Sequence, residues 1–526
     1  MRDTTLRVVR LLERAQTGEA EPVLALVEGI LRGHTGDLAD GRAGMHFVRA
    51  VSYIVLGDLP AALAAVELML HAAEREGSAG WQACALATRA SERLRLGEMD
   101  PTEYDLDGPL RDLVAAEALV IGEPDPIPAV NARVAIAVGY QELRLYELVG
   151  PQFEAAYEIS VADRDQNGNR AMWLTNLAEL HLQWALELYQ VGQTAEAEAH
   201  TAEAERYALR AAAEASGADA AAWRENALLA AACAGADRHD PAGAAVQIEK
   251  RLRAQEARGI GANVLAYSRP FHAVALRRSG RDDEALRVME RAVAELPPDA
   301  GWLTIAATHR THAVLLAARG SADARACLAY GDMLAVALWR QRQRTLHAAE
   351  TLKALDTLRL RHEEATRAAD VDPLTGVANR RAFDRTLERC RLDDRPVTLF
   401  VIDTDKFKQI NDTRGHDAGD AALRAISRAL AAQLRDDDLL ARLGGDEFGA
   451  VLTGIGAAAA GIALRMVQAV RDIPDCPATV SIGVATGPAA QVADTLRRAD
   501  EAMYRIKRSG GDGVEDGARR AGVRAA

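Results

Sequence analysis

The sequence predicts a multidomain chain: an all-α helical-repeat solenoid over residues 1–330, a long connecting helix over 331–370, an α/β domain over 371–515 and a disordered tail over 516–526. Three observations predict it. Residues 1–330 lack strand-like alternation and carry apolar residues at three- and four-residue spacing, broken by Gly, Pro or Asp turns. Between Gly331 and Pro373 there is no glycine or proline. Beyond Pro373, short apolar runs alternate with amphipathic segments, as in a layered α/β domain. At 526 residues the chain is too long for one core.

Composition narrows the function classes. With 49% apolar, 26% charged and only 4% aromatic residues, the chain suits a soluble, helix-rich protein rather than a disordered one. A net charge of −13 and a pI near 5.5 argue against nucleic acid or an anionic membrane as the main partner, so any anionic ligand must be captured locally. Cys84, Cys233, Cys327, Cys390 and Cys476 lie far apart with no Cys-x-x-Cys pair, which indicates buried reduced thiols rather than disulfides or zinc. The N-terminus has no apolar leader core. The uncharged run Phe448–Leu464 falls short of the roughly 18 residues of a membrane span and holds four glycines, so a cytoplasmic protein without membrane attachment is expected.

The helical region is clearest from Tyr267 to Pro298, where a helix, a turn at Gly280 and a second helix carrying Ala285 and Ala292 form a hairpin. The same offsets, Gly then Ala five and twelve positions later, recur at Gly150/Ala155/Ala162 and Gly192/Ala197/Ala204, and more weakly at Gly57/Ala62/Met69. The pattern resembles the tetratricopeptide repeat, helix pairs that stack into a solenoid. Trp173, Trp184 and Tyr189 sit at helical spacing and are assigned to packing. Such a groove recognises a protein or peptide, but no residue identifies which one.

The glycine- and proline-free stretch allows a helix of about 40 residues, roughly 60 Å long. Leu338, Ala348, Leu352 and Leu355 fall on an approximate 3.5-residue seam, interrupted by Gln341, Thr345 and Arg359, which predicts a parallel dimeric coiled coil. A long helix packed on the solenoid is the alternative.

Pro373 ends that helix, and the next domain begins. Its predicted elements are a helix around Arg380–Cys390, a strand Val397–Ile402, a helix Ala418–Leu434 and a strand pair around Leu439–Leu452. A helix near Ile462–Val470, a short strand Thr479–Ala485 and a helix Leu496–Arg508 follow. Within them, Arg442-Leu-Gly-Gly-Asp-Glu-Phe448 places two acids directly after two glycines. Glycines let the backbone turn tightly while the carboxylates project into one site, which suits divalent cations held against phosphate. Asp403 closes a buried apolar strand, where a carboxylate is costly unless it binds a cation or is hydrogen-bonded. Pairing of the two strands would let Asp446 face it.

Asp372-Pro-Leu-Thr-Gly, Phe400-Val-Ile-Asp-Thr-Asp-Lys-Phe-Lys-Gln-Ile-Asn-Asp412, Gly415-His-Asp-Ala-Gly-Asp420, Arg442-Leu-Gly-Gly-Asp-Glu-Phe448 and Ala499-Asp-Glu-Ala-Met-Tyr504 occur in one order. In this the region 370–515 resembles the GGDEF diguanylate cyclases. The resemblance implies a nucleotidyl-cyclase-like fold and condensation of two GTP into cyclic di-GMP with release of two pyrophosphates. It implies two Mg²⁺ (or Mn²⁺) per GTP half-site, on Asp403, the Thr404 main-chain carbonyl, Asp446 and Glu447, with Asp446 also the proton acceptor. Thr404 replaces the usual aliphatic residue. Phe407, Lys408 and Lys507 are implied for phosphate, Asn411 and Asp420 for guanine, and His416, Gly444 and Gly445 for the substrate site. Since one half-site holds one GTP, a homodimer follows.

Arg435 and Asp438 resemble the family's Arg-x-x-Asp inhibitory site, where cyclic di-GMP would bind as product, and Arg465 adds a second guanidinium. One departure stands out: where the family has Lys-x-x-Gly-Arg-Asn, this chain has Lys507-Arg-Ser-Gly-Gly511-Asp512. Loss of that arginine is expected to weaken GTP binding, with Arg508 as a substitute cation. The alternative reading is a catalytically silent cyclic di-GMP receptor or a scaffold.

Overall fold

The computed structural model describes residues 2–33, 41–99, 105–163, 170–216, 220–257, 262–298, 300–391, 395–453 and 458–517. The chain divides into two compact units, Met1–Leu355 and Asp356–Ala526. Most of the expected tail, 518–526, lies outside the described residues.

The described residues of the first unit are helical or connect helices. Three of the four predicted glycine turns are present. Gly57, Gly192 and Gly280 hold left-handed φ values of 79°, 78° and 77°, just ahead of helices Leu59–Glu76, Thr194–Glu214 and Asp282–Ala294. Only glycine takes that conformation without cost. The small or flexible residues that follow, Ala62 and Met69, Ala197 and Ala204, Ala285 and Ala292, are buried. Gly150 departs from the expectation. It lies inside helix Tyr146–Ala162, Arg144 makes the preceding turn with φ 59°, and Ala162 is exposed. In an Ala-rich chain the spacing matched there without the geometry.

Trp173, Trp184 and Tyr189 pack as assigned. The Trp173 indole donates to Ser160 Oγ at 3.2 Å, Trp184 stacks on His200 at 3.9 Å, and the Tyr189 hydroxyl donates to Asp237. Buried thiols hold only for Cys84 and Cys233; Cys327 is exposed and Cys390 and Cys476 are half-buried, because these three lie on partly solvated helix faces and a loop.

The long helix runs from Ala322 to Ala368, starting before the predicted residue 331 and taking Gly331 into its interior. Leu346 and Ala349 are buried in the core of the first unit, with Leu352 packed against it. Arg342, 3% exposed, donates to the Arg144 carbonyl at 2.5 Å and pairs with Glu147, and Lys353 pairs with Glu117 at 2.8 Å. The predicted seam therefore splits: Leu352 faces this chain's own core, while Leu338 and Leu355 stay exposed.

The second unit is a six-stranded mixed sheet with helices: β1 (Ala378–Asn379), β2 (Val397–Asp405), β3 (Leu439–Gly444), β4 (Glu447–Thr453), β5 (Thr479–Gly487) and β6 (Gly513–Asp516), ordered β1-β3-β4-β2-β5-β6. Only β1–β3 and β5–β6 are parallel. All nine residues of β2 are buried, since it is central and covered on both faces. Phe400 and Ile402 meet Leu423, Ile426 and Met466 on one side; Val397 and Leu399 join Phe383 and Leu387, and Val401 joins Met503, on the other. That alternation follows from the two-residue pleat. The helix Phe407–Arg414, β1 and β6 were not anticipated: the helix is short and polar with only Ile410 buried, and the strands have two and four residues. Among the described residues no helix is long and apolar enough to cross a membrane.

Candidate active site

β2 ends in the acids at the heart of the site. Antiparallel pairing sets Asp403 opposite Glu447 of β4, and the β3–β4 turn is made by Gly444 and Gly445 with φ 155° and 53°. The Thr404 N–H and hydroxyl both donate to the Asp446 carbonyl at 3.1 Å, tying the turn to the strand. Asp403 is 5% exposed and ion-paired with Lys507. Burial, with the Asp446 and Glu447 charges adding and Lys507 opposing, pushes its carboxyl up to about 6. Crowded acids around a buried carboxylate are an all-oxygen donor set that a hard cation would relieve. Among the described residues no three His, Cys, Asp or Glu side chains converge closely enough to hold an ion by themselves. The Thr404 carbonyl and substrate phosphates would have to complete the coordination, which is how Mg²⁺ usually binds.

Arg442 and Asp372, neither of them among the predicted site residues, hold the turn. Arg442 donates to the Gly445 carbonyl at 3.0 Å and 2.7 Å, and to Asp372 at 3.2 Å. Asp372 accepts from the Thr375 N–H and hydroxyl at 2.9 Å and 2.6 Å. Burial opposes its ionisation, but Thr375 and Arg442 hold its carboxyl below the ordinary value. Both residues stand in motifs visible in the sequence, Asp-Pro-Leu-Thr-Gly and Arg-Leu-Gly-Gly; their contact was not visible.

After Lys406, with a left-handed φ of 58°, helix Phe407–Arg414 carries Phe407, exposed Lys408 and Asn411. Asn411 Oδ1 is buried and has no hydrogen-bond partner among the described residues. Helix His416–Ala431 carries exposed His416 and, one turn on, half-buried Asp420. Gly419 between them allows the approach, because a Cβ there would stand 1.9 Å from Asn411 Oδ1 and 3.2 Å from the Phe407 ring. The structure thus brings the Asn411 and Asp420 helices together around a glycine that had been given no role.

The Arg435/Asp438 pair forms a local turn: the Arg435 N–H donates to Asp438 Oδ2 and the Asp438 N–H to the Arg435 carbonyl, each at 3.0 Å, with Arg435 exposed. Arg465 bonds its own helix at the Gly461 carbonyl, 3.5 Å away. Gly511 has φ 82° and lies against Asp405, where a Cβ would stand 2.7 Å from Oδ1. Asp405 accepts from the Thr479 hydroxyl at 2.8 Å, the Ser481 hydroxyl at 2.7 Å and the Asp512 N–H at 2.8 Å. The last acid of β2 is therefore a brace for β5 and the segment leading into β6.

Residues 369–513 match the family model described as diguanylate cyclase, GGDEF domain. The probable diguanylate cyclase DgcC of Escherichia coli is 37% identical over 156 residues, covering 27% of this chain and 42% of that protein. Diguanylate cyclase DgcP of Pseudomonas aeruginosa is 36% identical over 167 residues, covering 29% of this chain and 25% of that protein. The crystal structure of the coiled coil and GGDEF domain of DgcB from Caulobacter crescentus with c-di-GMP matches with 28% identity and a TM-score of 0.29, covering 32% of this chain and 97% of that one. The chain thus spans less than half the length of these curated relatives. The C-terminal region of this chain, residues 369–513, is a GGDEF domain.

Proposed function

We propose that the chain is a diguanylate cyclase that condenses two GTP into cyclic di-GMP and two pyrophosphates. The observation that carries this reading is buried Asp403, raised to about 6 beside Asp446 and Glu447 within the GGDEF domain. Asp403, Asp446, Glu447 and the Thr404 carbonyl would hold two Mg²⁺ (or Mn²⁺) per half-site, which when bound activate a 3′-hydroxyl and offset the charge of leaving pyrophosphate. Asp446 accepts the hydroxyl proton. Asn411 and Asp420 read the amide and amino edge of guanine, with His416 beside them, and the unpartnered Oδ1 of Asn411 is satisfied by the base. The Phe407 N–H and Lys408 receive phosphate, and Lys507 exchanges Asp403 for a phosphate oxygen as substrate enters. Gly444 and Gly445 keep side chains out of the substrate's path.

Each 3′-hydroxyl attacks the α-phosphate of the other nucleotide, so two domains face each other in a homodimer. Leu338, Ala348 and Leu355 remain available on the long helix for that association, whereas Leu352 does not. Arg435 and Asp438 bind cyclic di-GMP as a brake on the enzyme. The first unit is a tetratricopeptide-like array receiving a protein or peptide signal, supported by the Gly57, Gly192 and Gly280 turns with their buried small residues. The test is product formation from GTP and Mg²⁺ by the full chain beside Asp446→Ala, with and without added cyclic di-GMP. Product from wild type alone, reduced by cyclic di-GMP, is expected; no product from wild type overturns the reading.

A further inference from the structure

The first unit holds a concentration of positive charge that the overall charge of −13 conceals. Helices Ala20–Arg32, Arg42–Val55 and Leu59–Glu76 line a cavity of about 490 Å³ with Glu28, Arg32, Arg42, His46, Arg49 and Arg75. Arg42, His46 and Arg49 follow four- and three-residue spacing, so one helix turns two guanidiniums and an imidazole to the same side. Leu31 and Leu68 add apolar wall.

Among the described residues, four guanidiniums meet one lining carboxylate. That carboxylate, Glu28, accepts from the Tyr53 hydroxyl at 3.2 Å and pairs with Arg32 only at 3.8 Å. Nearby Glu76 is committed to the Arg42 and Ala43 N–H groups at 2.8 Å and 3.2 Å. His46 is 7% exposed and its Nδ1 has no hydrogen-bond partner among the described residues; the buried Nε of Arg49 has none either. Burial first, then Arg49, Arg42 and Arg75, lowers His46 to about 4, so the ring is neutral and can still hydrogen-bond. Like charges gathered over unsatisfied buried nitrogens are costly unless an anion joins them.

We propose that this cavity binds a small phosphate-bearing ligand. Guanidinium forks match phosphate oxygens, and several of them suit a dianion better than a single carboxylate. The volume lies in the range of small-molecule sites, and the leucines leave room for an organic body. The site is separate from the GGDEF chemistry and independent of the activity proposed above.

Isothermal titration of the full chain at low salt, with AMP and inorganic pyrophosphate as probes, tests this beside Arg49→Met and Arg75→Gln. Wild type binds at least one probe, each variant weakens it about 10-fold or more, and added salt weakens it further. Binding of AMP alone identifies a phosphate ester, and binding of pyrophosphate alone an inorganic ligand. Arg75 is exposed on the last turn of its helix, so its variant remains informative if Arg49→Met fails to fold. No binding by wild type overturns the proposal. Equal affinity in wild type and both variants, as for a probe bound in the GGDEF domain, does so too.

Discussion

Glu187 in the helical unit and Asp403 in the GGDEF domain are both nearly buried carboxylates, at 2% and 5% exposure, yet their surroundings are opposite. Glu187 takes the Arg144 fork, with the Nε bond at 2.8 Å, and the Tyr146 hydroxyl at 2.5 Å. Asp403 has Lys507 but also Asp446 and Glu447, like charges that raise it further. A carboxylate whose partners are all supplied by the fold serves the fold; one left short of positive charge is a place for something else to bind.

The sharpest way to break that contrast is Asp403→Asn. Cyclic di-GMP formation should fall on the order of 10³-fold or more, while the metal-free melting temperature holds or rises, because a costly buried charge is gone. A marked loss of stability would put Asp403 in the same class as Glu187. Protonation offers a second view. The folded-state value of about 6 lies above the unfolded value near 3.9, so the folded chain binds this proton more tightly. Ionisation of Asp403 therefore costs stability as pH rises from about 4 to about 6. Activity with Mg²⁺ should run the other way, falling at low pH as the proton competes with the cation for Asp403, and pH–rate profiles should show that fall moving to lower pH as Mg²⁺ is raised.

Glu187→Ala is the reciprocal experiment. It strands the Arg144 guanidinium and should destabilise the helical unit by about 3–5 kcal/mol, measured by urea unfolding. The first-order expectation is no change in kcat for whatever enzyme molecules remain folded.

Gly419→Ala probes the site more gently. The new Cβ would displace Asn411, so the KM for GTP should rise about 10-fold or more, with a smaller change in kcat. A loss confined to kcat, with KM unchanged, would mean that Asn411 does not read the base. This residue also shows where sequence reading stops. β2 and the Gly-Gly turn were legible because each is a local pattern, an apolar run or paired glycines. The Gly419–Asn411 approach, and the Arg442–Asp372 clamp across 70 residues, exist only once helices and strands have packed. The helical unit was less legible still. Arg342 reaches Glu147 across 195 positions, and the Arg42, His46 and Arg75 cavity is assembled from separate helices, with no motif announcing either.

Gly511→Arg gives the smallest effect and turns on what Asp405 is for. Counted as a missing phosphate contact, Gly511 should be improved by restoring the family's arginine. Its geometry points elsewhere. Gly510, Gly511 and Asp512 have φ values of 121°, 82° and 61°, and the Asp512 N–H and a Cβ at 511 compete for the same Asp405 carboxylate. An arginine here pays about 1–2 kcal/mol for the left-handed backbone and must push aside an acid that also holds Thr479 and Ser481. The variant should melt a few degrees lower, with the KM for GTP unchanged or raised. A lower KM at unchanged melting temperature would show that this loop tolerates the cation and that Asp405, like Asp403, has charge to spare for the substrate.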